Sequence, residues 1–125
     1  MGPRILVVDD DPVIVRLLEV NFRLDGFDVV TAVRGEDALV LAQETSPDII
    51  LLDVMMPGLD GYEVYRRLRE MPGLVDIPVL FLSARAKDDD RAQGMASGVV
   101  GYITKPFDPS ALVETVRRRL EGHIT

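Results

Sequence analysis

Short, continuous apolar runs alternate along the chain with segments of helical spacing. The apolar runs occupy residues 5–8, 29–30, 49–52, 79–82 and 99–103, the last interrupted by Gly101. Continuous runs of this length, bounded by turn residues, are typical of strands that are buried on both faces. Five such strands alternating with five helical segments indicate a parallel sheet covered by helices on both sides. We therefore expect an α/β fold.

The helical segments have recognisable ends. The first helix is predicted to begin with Asp11 as its N-cap and Pro12 at the first helical position. Its predicted inner face consists of Ile14, Leu17, Leu18 and Phe22. The third helix is predicted over about residues 61–71 and ends before Pro72-Gly73. The fourth, over about residues 88–97, has few apolar residues, so we expect it to be locally the least stable.

Length and charge predict one soluble domain over residues 1–125. No apolar stretch approaches the roughly 20 residues needed to span a bilayer. Because residues 1–4 lead directly into the first predicted strand, we expect no secretory signal. The absence of cysteine excludes disulfides and thiol chemistry. The net charge of −7 argues against direct nucleic-acid binding by this chain. We expect a cytoplasmic protein that does not bind membranes.

Carboxylates follow two of the apolar runs. Asp53 ends the run at 49–52, and Asp9 and Asp10 follow the run at 5–8. Because the carboxyl ends of parallel strands meet at one edge of the sheet, we expect these side chains to converge. Two like charges about 4 Å apart repel by roughly 4 kcal/mol at an effective dielectric constant of 20, which predicts raised or coupled carboxylate pKa values. A hard cation with oxygen ligands, Mg²⁺ above all, would relieve this repulsion.

A hydroxyl and an ammonium group are predicted at the same edge. Ser83 closes the fourth apolar run, and Lys105 follows the fifth. Taken alone, a serine in the position of Ser83 is more often a strand-end cap, and a lysine such as Lys105 is more often a surface charge. Beside a carboxylate–metal centre, however, they are the groups that a transferred phosphoryl group requires. Since a carboxylate can act as a covalent nucleophile, Asp53 is the candidate phosphoryl acceptor.

Four segments, VVDDDP, LLDVMMPGLDG, LFLSA and GYITKPF, occur in this order and are distributed along essentially the whole chain. At this spacing the sequence resembles the receiver domain of two-component response regulators, the CheY type. The resemblance implies a (βα)5 flavodoxin-like, doubly wound sandwich with a five-stranded parallel sheet of order 2-1-3-4-5. It also implies that Asp53 accepts a phosphoryl group from a sensor histidine kinase, a phosphotransfer protein or a small phosphodonor.

The resemblance further implies a metal site. Asp10 and Asp53 would ligate Mg²⁺ together with the main-chain carbonyl of Met55, and Asp9 would act largely through water. Lys105 would pair with the phosphoryl oxygens, and the bond between Lys105 and Pro106 would be cis.

The same resemblance assigns a switch. Ser83 would move toward the phosphoryl group, and Tyr102 would change rotamer with it, although an ordinary half-buried strand tyrosine is also compatible with the sequence. The surface of the fourth predicted helix, fifth strand and fifth predicted helix would then bind a downstream effector. A dimer through this surface stays open, because Val99-Val100-Gly101 stands where some families carry charges.

Two bulky side chains are expected to flank the phosphoryl group. Met55 lies two residues after the acceptor, and Arg85 lies two residues after the switch serine. Both are large enough to obstruct an attacking water molecule. We therefore expect a long-lived phosphorylated state.

The sequence lacks the residues that two other classes of function require. A phosphohydrolase of the haloacid-dehalogenase type needs a second aspartate two residues after the nucleophile, where this chain has Met55. No glycine-rich loop for a nucleotide or flavin follows the first strand. We therefore expect no enzyme activity beyond the chain's own aspartyl phosphorylation and dephosphorylation. A phosphorylation-independent interaction module on the same fold remains the alternative.

Overall fold

The structure is a computed structural model that describes residues 2–84 and 99–124. Within these residues the strands are β1 (Arg4–Val8), β2 (Asp28–Ala32), β3 (Ile49–Asp53), β4 (Val79–Ser83) and β5 (Val99–Thr104). The helices of the same residues are α1 (Pro12–Leu24), α2 (Gly35–Thr45), α3 (Gly61–Arg69) and a last helix (Pro109–Ile124). The fourth predicted helix and Arg85 lie outside the described residues.

The strands form one parallel sheet in the order β2-β1-β3-β4-β5, which confirms the predicted topology. β1 pairs with β2 on one side and with β3 on the other. In the second pairing Val8 lies opposite Leu52. Asp9 and Asp53, each one residue further along, therefore leave adjacent strands at the same edge of the sheet.

Alternate strand residues face two separate hydrophobic layers. Ile5 and Val7 pack with side chains of α1 and the last helix, whereas Leu6 and Val8 pack with side chains of α2 and α3. The sheet is thus covered on both faces, as continuous apolar strands require. This two-sided packing confirms the doubly wound arrangement.

The packing of α1 differs in part from the prediction. The buried side chains are Val15, Leu18 and Phe22, whereas Leu17 is 41% exposed. Placing Leu17 on the inner face was therefore wrong. Apolar residues occur all around α1, so spacing alone does not select a face. The contacts with β2 and the last helix select the stripe that begins at Val15.

Helix ends follow local chemistry. The Asp11 side chain accepts a hydrogen bond from the Val13 N–H at 2.9 Å, which confirms Asp11 as the N-cap. Helix α3 ends at Arg69, two residues earlier than predicted. Its early end is explained by Pro72, because a proline disfavours helical conformation in the residue before it. Among the helices of the described segments, none is sufficiently long and apolar to cross a membrane.

Candidate functional site

Three carboxylates converge at the carboxyl edge of the sheet. One oxygen from each of Asp9, Asp10 and Asp53 lies within 4.8 Å of the other two. Asp9 and Asp53 are buried, and Asp10 is exposed. The Asp9 side chain is held in place because its Oδ1 accepts a hydrogen bond from the Asp11 N–H at 3.0 Å. The structure thus brings together the three acids that the sequence analysis singled out.

Lys105 places its ammonium group between the two buried carboxylates. Its Nζ lies 2.8 Å from Oδ2 of Asp9 and 3.3 Å from Oδ1 of Asp53. The Lys105 N–H donates to the Ser83 carbonyl at 2.7 Å, and the bond to Pro106 is cis, as the resemblance implied. The sequence analysis assigned this ammonium only to phosphoryl oxygens and missed both ion pairs. Three acids and one lysine at the same edge were the available signal.

The pKa values reflect this arrangement. Burial raises the pKa of Asp53 to about 7, and the charge of Asp9 adds to the rise, while Lys105 partly offsets it. Burial acts to lower the pKa of Lys105, but its hydrogen bond to Asp9 and the two carboxylate charges outweigh burial and raise it. The raised pKa of Asp53 agrees with the expected repulsion among the acids. At neutral pH Lys105 is therefore charged, and Asp53 lies near its titration point.

The loop after β3 is closely fitted around the acceptor strand. The Met55 N–H donates to Oδ1 of Asp53 at 3.3 Å, and the Gly61 N–H donates to the Val54 carbonyl at 3.0 Å. A Cβ atom on Gly61 would lie 2.3 Å from the main-chain oxygen of Asp53. The sequence analysis missed this role of Gly61. The glycine directly after the capping residue Asp60 was its only signal.

Ser83 and Tyr102 lie on neighbouring strands. Ser83 is fully buried at the end of β4, one residue beyond Leu82, which is the register partner of Asp53. Tyr102 lies opposite Phe81 and packs, partly buried, against the hydrophobic layer beneath α2 and α3. Ser83 is therefore placed at the edge that carries the acids. Tyr102 lies further inside the sheet, and the switch roles of both residues stay predictions.

The acidic cluster fits a hard cation. Its side-chain donors are carboxylate oxygens, the ligands that Mg²⁺ prefers in proteins. The exposed Asp10 leaves a side open to water, which Mg²⁺ commonly retains in its coordination sphere. The Met55 N–H points to Asp53, and ligation of a metal ion by the Met55 carbonyl stays a prediction.

Comparison with known proteins identifies the family. A sequence model of the family described as "Response regulator receiver domain" matches residues 5–117. The chain belongs to this family. Receiver domains are signalling domains of two-component systems and not classical enzymes; as a family they interact with histidine kinases and effectors and generally bind Mg²⁺.

Several curated response regulators are similar to this receiver domain. The "DNA-binding dual master transcriptional regulator RpaA" of Synechocystis sp. is 45% identical over 94% of this chain and 49% of its own length. The "Transcriptional regulatory protein PrrA" of Mycobacterium tuberculosis is 48% identical over 95% of this chain and 50% of its own length. The chain thus spans about half the length of these relatives.

Solved structures agree with the fold. The chemotaxis protein CheY4 of Vibrio cholerae matches with a TM-score of 0.86 and 31% identity, over 94% of this chain and 98% of that one. The receiver domain of the Francisella response regulator 1452 matches with a TM-score of 0.86 and 34% identity, over 98% of this chain and 99% of that one. Both are matched over nearly their entire length, which confirms the CheY-like fold that the sequence predicted.

Proposed function

We propose that this receiver domain is a phosphorylation-activated switch in which Asp53 accepts a phosphoryl group. The donor would be a sensor histidine kinase or a phosphotransfer protein. One observation carries the proposal: Asp53 is a buried carboxylate at a strand end, 3.3 Å from a lysine ammonium and grouped with two further acids. Asp53 would thus be a nucleophile that has a positive counter-charge and further oxygen donors for a metal beside it.

The transfer reaction follows from the position of Asp53. A carboxylate oxygen of Asp53 attacks phosphorus, the bond between phosphorus and the donor's nitrogen breaks, and the nitrogen leaves with the electron pair. Only the ionised carboxylate is nucleophilic. Because its pKa is about 7, a substantial fraction of Asp53 is ionised at neutral pH, and Lys105 favours that fraction.

Several residues of the site would hold the metal. We assign Asp10, Asp53 and the Met55 carbonyl as direct ligands and Asp9 as a ligand through water. When bound, Mg²⁺ supplies positive charge to the carboxylates and to the transferred phosphoryl oxygens. Lys105, which follows the end of β5, supplies a second positive charge, since its ammonium already contacts Asp53.

The switch would run from the site along β5. The Lys105 N–H is hydrogen-bonded to the Ser83 carbonyl, so a movement of either residue toward the phosphoryl group displaces the other. Lys105 continues β5, which carries Tyr102 on a partly buried position. We infer that the effector binds the surface formed by β5, the last helix and the fourth predicted helix, the last of which lies outside the described residues. An effector that binds one state better shifts the equilibrium toward that state.

The partners and setting follow from the switch. Catalysis would be limited to the domain's own phosphorylation and dephosphorylation, and the domain would act in the cytoplasm between a kinase and a downstream effector protein or domain. The alternative is an interaction module on the same fold that works without phosphorylation.

The acceptor is tested by mapping the phosphoryl group. The protein is incubated with acetyl phosphate and Mg²⁺, reduced with borohydride, which converts an aspartyl phosphate to homoserine, and digested for peptide mass analysis. We expect conversion at Asp53. Conversion at Asp9 or Asp10 would overturn the assignment of the acceptor. No conversion, while a competent receiver is converted in parallel, would favour the alternative module.

A further inference from the structure

Met55 presents an oxidisable side chain beside the proposed acceptor. Its side chain is 52% exposed, whereas that of the adjacent Met56 is 7% exposed. The two thioethers have the same chemistry, so an oxidant in solution reaches them according to their exposure. Met55 is therefore expected to react well before Met56.

A hydrogen bond from the Met55 main chain joins this residue to Asp53. The Met55 N–H lies 3.3 Å from Oδ1 of Asp53, so the two residues share the same tight turn after β3. Because the Met55 backbone contacts the acceptor carboxylate, a change in the polarity of its exposed side chain takes place close to the acidic cluster. The long-lived phosphorylated state expected from the sequence would depend on this apolar side chain obstructing an attacking water molecule.

We propose that Met55 is a redox modification site whose oxidation to the sulfoxide shortens the lifetime of the aspartyl phosphate. The proposal rests on the proposed function of Asp53. In the reaction, the O–O bond of a peroxide breaks and one oxygen atom forms an S–O bond with Sδ. Sulfur is oxidised by two electrons, and hydrogen peroxide is reduced to water.

The sulfoxide changes what the side chain does at the site. Its oxygen is a hydrogen-bond acceptor, whereas the thioether sulfur is only a weak one. A water molecule held by that oxygen would attack phosphorus, the bond between phosphorus and the Asp53 oxygen would break, and inorganic phosphate would leave while Asp53 regains its carboxylate. Methionine sulfoxide is reversible by dedicated reductases, so the change can act as a switch on top of phosphorylation.

The test separates Met55 from the other methionines. Wild-type protein and a Met55→Leu variant, which keeps an apolar side chain but has no sulfur, are treated with graded hydrogen peroxide. Peptide mass analysis maps the sulfoxides, and the lifetime of the phosphorylated state is followed by intact mass after removal of acetyl phosphate. We expect Met55 to be oxidised before Met56 and the wild-type lifetime to shorten severalfold, with recovery after treatment by methionine sulfoxide reductases.

The variants supply the controls. The lifetime of Met55→Leu should not respond to peroxide, and Met55→Gln should show a shortened lifetime without any oxidant. Equal oxidation of Met55 and Met56, or an unchanged lifetime once Met55 is oxidised, would overturn the proposal, as would an equal response of Met55→Leu. If the untreated wild type gains no phosphoryl group, the proposed function fails and the effect on lifetime fails with it. The peptide map then still decides whether Met55 is selectively oxidised.

Discussion

Lys105 partly neutralises the negative charge of the acidic cluster. Two of the three clustered carboxylates, Asp9 and Asp53, are buried, and like charges at such separations repel by several kcal/mol. The Lys105 ammonium contacts both of them and is only 22% exposed. One cation thus faces two buried anions: burial and the charge of Asp9 raise the pKa of Asp53 to about 7, and Lys105 offsets this rise only in part. The fold therefore holds Asp53 as a carboxylate whose ionised form is disfavoured.

The raised pKa of Asp53 predicts how metal-free stability depends on pH. Its folded pKa of about 7 exceeds the model-compound value of 3.8, so the folded state binds the additional proton between these values. The contribution of this proton to the unfolding free energy is fully present below about pH 4, and it is lost as the pH rises through about 7. Relative to Asp53→Asn, the wild type should lose roughly 2 to 3 kcal/mol of unfolding free energy between pH 5 and pH 8.

Urea unfolding followed by circular dichroism in the presence of EDTA checks this prediction. The Asp53→Asn variant is the control for the wild type, because its amide does not titrate while every other titratable group remains. A difference between the two proteins that stays constant from pH 5 to pH 8 would contradict the proposed strain at Asp53.

Asp10 and Asp11 offer a matched pair for the metal site. Both side chains are exposed, but only Asp10 belongs to the acidic cluster, while Asp11 caps α1. Asp10→Asn should weaken Mg²⁺ binding about tenfold or more, which corresponds to about 1.4 kcal/mol. Asp11→Asn removes the same charge and retains a good N-cap, so the dissociation constant should change little. Isothermal titration at fixed ionic strength measures both, and equal weakening would indicate a general charge effect instead of ligation.

At the scale of elements, strands were easier to predict than helix faces. A continuous apolar run such as 49–52 has no polar side and therefore specifies a strand that is buried on both faces. The prediction located all five strands, although β2 is longer than the run at 29–30. Helix α1 has apolar residues on every side, so Leu17 was assigned to the core and Val15 was missed. Packing partners decide such a face, and a single helix sequence does not contain them.

The site also has residues that the sequence predicted and contacts that only the folded structure shows. Asp9, Asp53 and Ser83 were predictable because each directly follows a continuous apolar run, and parallel strands bring their carboxyl ends together. The ion pairs of Lys105 depend on the conformation of the chain after β5, which residue types alone do not specify. The role of Gly61 depends on a backbone approach that only the folded loop shows.

Helix α3 begins against the acceptor strand, which predicts a sensitive position. A Cβ at Gly61 would lie 2.3 Å from the Asp53 oxygen and 2.9 Å from the Val54 Cα, and neither backbone atom can move independently. Gly61→Ala should therefore destabilise the fold by roughly 1 to 3 kcal/mol and also weaken Mg²⁺ binding, because the strand end carrying Asp53 must shift.

Gly73 supplies the comparison for this prediction. It has a positive φ of 85° and open space around its Cβ position, so Gly73→Ala should reduce stability by strain alone, by about 1 to 2 kcal/mol. Since Gly73 lies in the connection after α3, Mg²⁺ affinity should be unchanged. Urea unfolding and metal titration of both variants separate the two effects. An unaltered Mg²⁺ affinity in Gly61→Ala would contradict the proposed coupling between α3 and the site.

At the scale of the whole molecule, the sheet connects the site to the surface. β3, β4 and β5 are consecutive neighbours and carry Asp53, Ser83 and Tyr102 respectively. If Asp53 is phosphorylated as proposed, the added charge would act on the two strands that follow β3 in the sheet, β4 and β5.

Intact mass after incubation with acetyl phosphate tests the central claim most directly. The wild type is incubated with and without Mg²⁺, beside the Asp53→Asn variant and with a competent receiver as a positive control. We predict the gain of one phosphoryl group that requires both Mg²⁺ and Asp53. A wild type that stays unmodified while the positive control is labelled, or an Asp53→Asn variant that is labelled equally well, would contradict the assignment of Asp53 as the phosphoryl acceptor of this receiver domain.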